Sequence, residues 1–340
     1  MGLQIVLYLT SSQSQLLESP FLGLLELRMG RVLLLLAART LAAAFTSFHT
    51  TALVAAPEWH GIGLHGLLSA QEAAPDAPLM LFDRHLEKNG GFSMHTAMQN
   101  SVASAGSKLN CTKLFGYQIN NKDWVEMASL LTQKQSICVD GHSPVPSDWL
   151  QRARAVASEV AATGTTPRVL TTLRIRKPTD HYRSFYDWDQ VPRMNQKWAT
   201  NVSLIEFIMM TPDLQASTLL ESNRAVLAQH RKGATEPLSA SECAAALETA
   251  ADVDLLTTTE AMTEFWPVLR RLTEFALPEE HIHEGPKRFG CCGPAVSLLV
   301  DKVEQATRTM APCDWMLYEM AQRATSKLLD EWRTLSDAKE

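Results

Sequence analysis

Lys88, with Gly90 and Gly91 just after it, stands between an apolar run at 79–82 and a helical pattern. Adjacent glycines make a tight turn at low steric cost. After them Met94, Met98, Val102 and Ala105 recur on one helical face, and Gly106 is a natural stop. Strand, glycine turn with a lysine, then helix is the physical recipe for an anion cradle. N–H groups at the helix start point at the ligand, the helix dipole favours negative charge, and the lysine adds a full positive one. A Walker A loop is excluded, because that motif places Lys-Ser/Thr directly after its second glycine and here the lysine precedes both. More positive charge, Arg176 and Lys177, follows the clearest strand pattern, 168–175. His142 follows another apolar run, 136–140, and a neutral imidazole can accept a proton.

The elements that must position these residues alternate in type. Strands are expected at 79–82, 111–117, 136–140, 168–175 and 253–257. One helix is expected to be capped by Asp123 with Glu126 three residues on, turning Val125, Ala128 and Leu131 inward. Others are expected at 147–162, closed by Gly164, then at 195–210, 213–231, and 239–250 with a Ser239/Glu242 capping box. The last three cover 262–275, 294–310 and 314–332. Short strands alternating with helices indicate an α/β fold, a parallel sheet covered on both faces. Ligands of such sheets sit at the carboxyl ends of strands. Lys88, His142 and Arg176 each fall at or just past such an end, so one site is expected.

A chain of 340 residues, 46% apolar and 20% charged, can bury one substantial core. A net charge of −6 argues against a general nucleic-acid binder. None of the six cysteines pair in a Cys-x-x-Cys spacing, which argues against a zinc ribbon. Disulfides in an oxidising compartment and buried thiols both remain open. His281, His283 and Glu284 invite a metal reading, but two histidines two apart without a clear third ligand read better as a solvated loop. Trp124, Trp149, Trp188 and Trp198 can stack on sugars, with core packing the default for each.

Residues 32–56 are largely apolar after Arg28 and Arg31, and read as a signal peptide or weak signal-anchor. Translation starting at Met29, or an extension over 1–28, fits that pattern. Sequons begin at Asn110 and Asn201. Residues 57–76, with Pro57, Gly61, Gly63 and Pro75, read as a stem or linker. The expected organisation is therefore 1–56 targeting extension, 57–76 stem, 77–334 folded domain and 335–340 tail.

The order His-x-x-Lys-x-Gly-Gly-x-Ser, carried by His85, Lys88, Gly90, Gly91 and Ser93, resembles the "HIPKTGGTS" loop of membrane-associated carbohydrate sulfotransferases. The segment Arg176-Lys177-Pro178-Thr179-Asp180-His181-Tyr182-Arg183-Ser184-Phe185-Tyr186 resembles that family's second motif, "RDPxxRxxSxY". Asp140-Gly141-His142 resembles the "GH" element of its uronyl 2-O-sulfotransferase branch. Residues 255–260 with Phe265 and Leu269, and Asp314 through Tyr318, resemble its last strand and the start of its C-terminal helix. The matches run in family order over residues 78–331. Asn89 and Phe92 replace usual threonines, Lys177 an acidic residue, and His181 an arginine.

The resemblance implies a P-loop NTPase-like three-layer fold and sulfuryl transfer from 3′-phosphoadenosine 5′-phosphosulfate (PAPS) to a carbohydrate hydroxyl, without a metal. It assigns the 5′-phosphosulfate to Lys88, Asn89, Gly90, Gly91, Phe92 and Ser93, and the 3′-phosphate to Arg176 and Ser184. Lys88 would stabilise the leaving phosphate, and His142 would take the acceptor proton, with Glu87 the weaker alternative. It further implies a Golgi-membrane protein with a luminal domain, or a secreted one if the N-terminal segment is cleaved. The alternative is a sulfotransferase-fold protein without catalysis that binds a glycan or protein partner. A P-loop kinase is disfavoured by the missing Gly-Lys-Ser/Thr and Walker B strand.

Overall fold

The structure is a computed structural model, and it describes residues 57–103, 111–116, 119–142, 148–189, 203–220, 236–275 and 295–337. Five parallel strands form one sheet: β1 (Leu79–Arg84), β2 (Lys113–Gly116), β3 (Ile137–Gly141), β4 (Arg168–Ile175) and β5 (Leu255–Thr258). Their order is β2-β3-β1-β4-β5, so β1 lies between β3 and β4 at the centre. Asp83 pairs with Asp140 on one side and with Thr172 on the other. Strands β1, β3 and β5 are buried along their whole length, as expected of a parallel sheet flanked by helices. The chain leaves β1 towards β2 on one side and leaves β4 towards β5 on the other. That reversal opens a crevice outside the carboxyl ends of β1 and β4.

Helix α1 (Gly63–Ala73) precedes the sheet, and α2 (Gly91–Ala103), α3 (Asn121–Thr132), α4 (Trp149–Ala162) and α5 (Pro178–Asp189) follow the first four strands. Next come α6 (Leu204–Met210), α7 (Leu214–Leu220) and α8 (Ala240–Ala251). After β5 lie α9 (Met262–Thr273), α10 (Ala295–Met310) and α11 (Pro312–Asp337). α11 packs on β4 and β5 and holds the sheet to α1, α7 and α8. Buried side chains around β1 and β3, among them Phe82, Trp124 and Trp149, stack ring on ring. Trp124 and Trp149 are thus core residues.

Two expectations are corrected. The cap of α3 is Asn120, whose side chain accepts from Lys122 N–H, while Asp123 is the third helical residue and accepts from Asn120 N–H. That phase buries Trp124, Met127, Ala128 and Leu131, the i, i+3, i+4, i+7 stripe, and leaves Val125 72% exposed. Residues 57–76, expected as a stem, belong to the core. Trp59 Nε1 donates to Val253 O at 2.7 Å, Leu64 N–H donates to Glu331 at 2.5 Å, and Leu64, Leu67 and Leu68 join the main hydrophobic cluster. Their short apolar face is covered by α9 and α11, from far along the chain.

The cysteines pair as Cys111–Cys138, tying the approach to β2 to β3, and as Cys243–Cys313, tying α8 to α11. Outside the described residues lie the apolar segment 32–56, both sequon asparagines, Trp198, His281, His283, Glu284, Cys291, Cys292, and the parts of the expected helices at 195–202 and 221–231. Among the described residues no helix is long and apolar enough to cross a membrane.

Replacing Leu64, which is wholly buried, with Ala should lower unfolding stability by about 3 kcal/mol, as for other core leucines. Denaturant titration of the full chain measures this, and a free stem would give no change.

Candidate active site

The turn after β1 starts from a charge pair inside the sheet. Arg174 on β4 forks onto Asp83 on β1, with Nη1 to Oδ1 at 2.6 Å and Nη2 to Oδ2 at 2.7 Å. Both side chains are almost fully shielded from water, and Thr172 Oγ1 donates to the same carboxylate. A bidentate pair satisfied in this way can persist in a dry sheet, where a lone charge cannot.

From that anchor the β4–α5 segment holds three consecutive carbonyls of the turn. His181 Nε2 donates to Glu87 O at 3.0 Å, Arg176 Nη1 to Lys88 O at 3.0 Å, and Arg174 Nε to Asn89 O at 3.3 Å. Gln215 on α7 completes the clamp. Its Oε1 accepts from Asn89 Nδ2 and Arg176 N–H, and its Nε2 donates to Arg176 O. Held in this way, Lys88 takes a left-handed backbone with φ 67° and Gly90 follows at 74°. The left-handed φ at Gly90 favours glycine, and a Cβ there would also stand close to Met262 Sδ, at 3.2 Å. Met94 N–H makes the first helical bond, to Gly90 O, so the N–H groups of Gly91, Phe92 and Ser93 precede the helical ladder.

The expected cradle residues separate into two roles. Lys88 and Arg176 come together. Burial, then the neighbouring Arg176 charge, pulls the Lys88 ammonium below the ordinary lysine value, against Glu87 and Asp187. Asn89 turns inward: its amide donates to Arg174 O and Gln215, its backbone N–H to Leu86 O, and it is 1% exposed. Its donors therefore brace the turn and do not face a ligand. Ser184 lies in the second turn of α5, and among the described residues no hydrogen bond links it to the cradle.

His181 is fully enclosed, and its Nδ1 has no partner among the described residues. Burial, only partly offset by the Glu87 carbonyl, pushes the imidazole down to about 3. The ring is thus a neutral donor, and no substitute for a phosphate-binding arginine.

On the other flank of β1 is a cluster in which sequence reading gave a chemical role to His142 alone, naming His85 and Asp140 only as parts of motifs. Asp140, 1% exposed near the end of β3, binds two imidazoles: His85 Nδ1 at 3.0 Å and His95 Nδ1 at 2.6 Å. Burial alone would raise this carboxyl, but the hydrogen bonds from both histidines outweigh it and hold it well below the usual carboxylate range. The same bond raises His95 above the ordinary histidine value, with burial opposing. The His142 ring stands edge-on to His85 with centroids 4.4 Å apart, and its Nε2 is 4.0 Å from Glu87 Oε1. Burial, then the neighbouring His85, pushes His142 down to about 4.

Arg84 locks this flank from beneath, donating to the carbonyls of His85, Gly141, His142 and Thr218. Burial lowers its guanidinium to about 10, against Asp83, Asp140 and Glu87. Arg84, Asp83 and Arg174 carried a usable signal, since charged residues inside buried strands must find partners. Gln215 carried none.

Together these residues form a desolvated cationic cradle on the β4 side and a carboxylate-held histidine cluster on the β3 side. Such a site can hold an anion and accept a proton beside it. Among the described residues no group of His, Cys, Asp and Glu is arranged to hold a metal. No family model matches the chain, and no curated protein or solved structure matches it either.

Breaking the Asp83–Arg174 pair with Asp83→Asn should cost about 3–5 kcal/mol, the range for removing one partner of a buried ion pair, read from denaturant midpoints. The buried histidines also set an acid limb. His181 and His142 stay neutral in the fold down to about 3 and about 4, whereas the unfolded chain protonates them near 6.5. The unfolded state then binds more protons, so stability should fall as pH drops from about 6.5 through that window. His95, with its raised value, acts in the opposite sense. Thermal melts across this range should show a shallower acid decline for His181→Asn than for wild type.

Proposed function

We propose that the chain is a PAPS-dependent sulfotransferase of P-loop NTPase-like architecture that moves a sulfuryl group to a carbohydrate hydroxyl. One observation carries the reading: Lys88 and Arg176 come together at a turn, two of whose carbonyls are held by Arg176 and His181 of the segment that resembles the second sulfotransferase motif and a third by Arg174 on the strand before it. The strand order, with the cradle beyond the central strand, supports the architecture.

The residues fit a phosphosulfate group. Gly90 leaves room where a Cβ would crowd Met262, and the first N–H groups of α2 follow within a few residues of Lys88, whose ammonium burial pulls down. Lys88 and the N–H groups of Gly91, Phe92 and Ser93 would hold the 5′-phosphosulfate, and Arg176 would bind the 3′-phosphate with the guanidinium donors that Lys88 O leaves over. PAPS would supply the activated sulfuryl group. The chain supplies positioning, positive field and a proton acceptor from the histidine cluster. Lysine and amides provide that field without a metal. Two disulfides favour an oxidising compartment, consistent with a luminal Golgi or secreted domain.

A second reading, a sulfotransferase-fold protein that binds a glycan or protein partner without catalysis, is favoured by the inward turn of Asn89.

Binding of adenosine 3′,5′-bisphosphate to the full chain, read by thermal shift, separates the two. At a hundred times its Kd the nucleotide should add about 2.7 kcal/mol of stability. Lys88→Ala and Arg176→Ala should weaken that shift while circular dichroism shows both folded. No shift in folded wild type overturns the enzyme reading.

A further inference from the structure

We infer that Asp314 is a positioning residue for the cradle, acting on Asn89 and Arg176 through the short helix α7 and its Gln215; only the choice of ligand in its test rests on the sulfotransferase reading. Asp314 is wholly buried in the first turn of α11. α7 is seven residues long, too short to keep its shape alone in water. Its place is therefore set by whatever satisfies its first N–H groups, and other elements do so. Leu214 N–H donates to Tyr182 Oη on α5 at 3.2 Å. Gln215 N–H and Ala216 N–H donate to the two carboxylate oxygens of Asp314, at 3.2 Å and 2.8 Å. Ser217 N–H makes the first helical bond, to Asp213 O.

The arrangement is reciprocal. Asp213, just before α7, accepts from Cys313 N–H at 2.8 Å and from Asp314 N–H at 3.3 Å. Pro312, the first residue of α11, has no N–H to satisfy. Asp213 thus caps α11, and Asp314 caps α7. By contrast, α6 and α8 are capped by serines at their own N-cap positions. Crossed caps hold two helix starts against each other, which separate caps do not. The junction is costly. Burial, then Asp213, raises the Asp314 carboxyl well above the ordinary aspartate value, and burial raises Asp213 to about 6 against three backbone donors. The third of those donors, Leu238 N–H, and the Cys243–Cys313 disulfide bring the start of α8 to the same place.

What this junction holds is the back wall of the cradle. Gln215, wholly buried, accepts from Asn89 Nδ2 and Arg176 N–H and donates to Arg176 O. One turn on, Thr218 O accepts from Arg84 Nη2 at 2.7 Å, and Arg84 holds the carbonyls of His85, Gly141 and His142. A displacement of α7 therefore reaches both flanks of β1. Asp314 fixes α7 where Gln215 must stand.

Amide hydrogen exchange of the full chain without ligand reads the coupling directly. In Asp314→Ala, Asn89 N–H, bonded to Leu86 O, and Arg176 N–H, bonded to Gln215 Oε1, should exchange at least about tenfold faster. Thr112 N–H, bonded to Ser136 O beside the far edge strand, should not change. Titration calorimetry with adenosine 3′,5′-bisphosphate reads the effect on the site. Gln215→Ala should weaken binding about tenfold, and Asp314→Ala by about as much. Asp314→Asn, which keeps one acceptor oxygen, should lose less, and it replaces Asp314→Ala in every arm if that variant does not fold. Because Asp314 acts through Gln215, the double variant should bind within about twofold of Gln215→Ala, whereas independent effects would multiply to about a hundredfold. Leu64→Ala, destabilised in the core away from the cradle, should keep the wild-type Kd. Failure of wild type to bind overturns the sulfotransferase reading, and exchange at Asn89 and Arg176 then decides the positioning role alone. Unchanged exchange at both amides, wild-type affinity in Gln215→Ala or Asp314→Ala, multiplied losses in the double variant, or an equal loss in Leu64→Ala each overturns that role.

Discussion

Arg174 and Asp83 lie side by side on adjacent strands, and their double hydrogen bond dictates where the turn after β1 must run. A left-handed backbone at a lysine costs roughly 1–2 kcal/mol, and the residue would relax out of it if nothing opposed. The opposition comes as three donors in register, one for each carbonyl from Glu87 to Asn89. At about 1 kcal/mol net for each such bond, the clamp outweighs the strain. Arg174 cannot drift to a looser geometry, because leaving Asp83 would strand two charges in a dry sheet. The conformation of Lys88 is thus fixed by residues nearly ninety positions further along the chain.

That clamp has an electrostatic consequence. Arg176 rests on a carbonyl of the turn, and Arg84 on four carbonyls. A carbonyl dipole satisfies a guanidinium without cancelling its charge, as a carboxylate would. The carboxylates that raise Lys88, Glu87 and Asp187, count for less than burial and Arg176 together. The β4 side of the crevice therefore keeps a net positive field in a poorly hydrated setting, where an anion gains most.

How much of this was legible follows from range. Local signals held where one turn of chain decides the outcome. The Ser239/Glu242 capping box is present, and β4 spans the expected residues 168–175. Where two caps competed within three residues, at Asn120 and Asp123, the later one was chosen and the inward face shifted with it, so Val125 was expected inside. Residues 57–76 misled for another reason. Their Pro and Gly residues signal a linker, and the apolar face of α1 has value only once α9 and α11 cover it. In the site, Lys88, Arg176 and His142 were visible because each follows a strand. Asp140 was read as part of a motif around His142, yet its carboxylate serves His85 and His95, which no spacing rule connects to it.

Placing the cradle and the histidine cluster on opposite flanks of the same strand resolves a conflict between their needs. The cradle needs cations close together, and nearby cations make an imidazole a poorer base. His181, on the cationic side, illustrates the penalty, pushed down to about 3 by burial with Arg176 and Lys88 adding to it. β1 separates the two demands by pairing with β4 on the cationic side and with β3 on the other. Asp140, opposite Asp83 in the β1–β3 register, then brings a carboxylate to the one flank where a base can use it. Aspartates at one level of two adjacent strands thus face different tasks: Asp83 neutralises the arginine that shapes the turn, and Asp140 holds the histidines beside it.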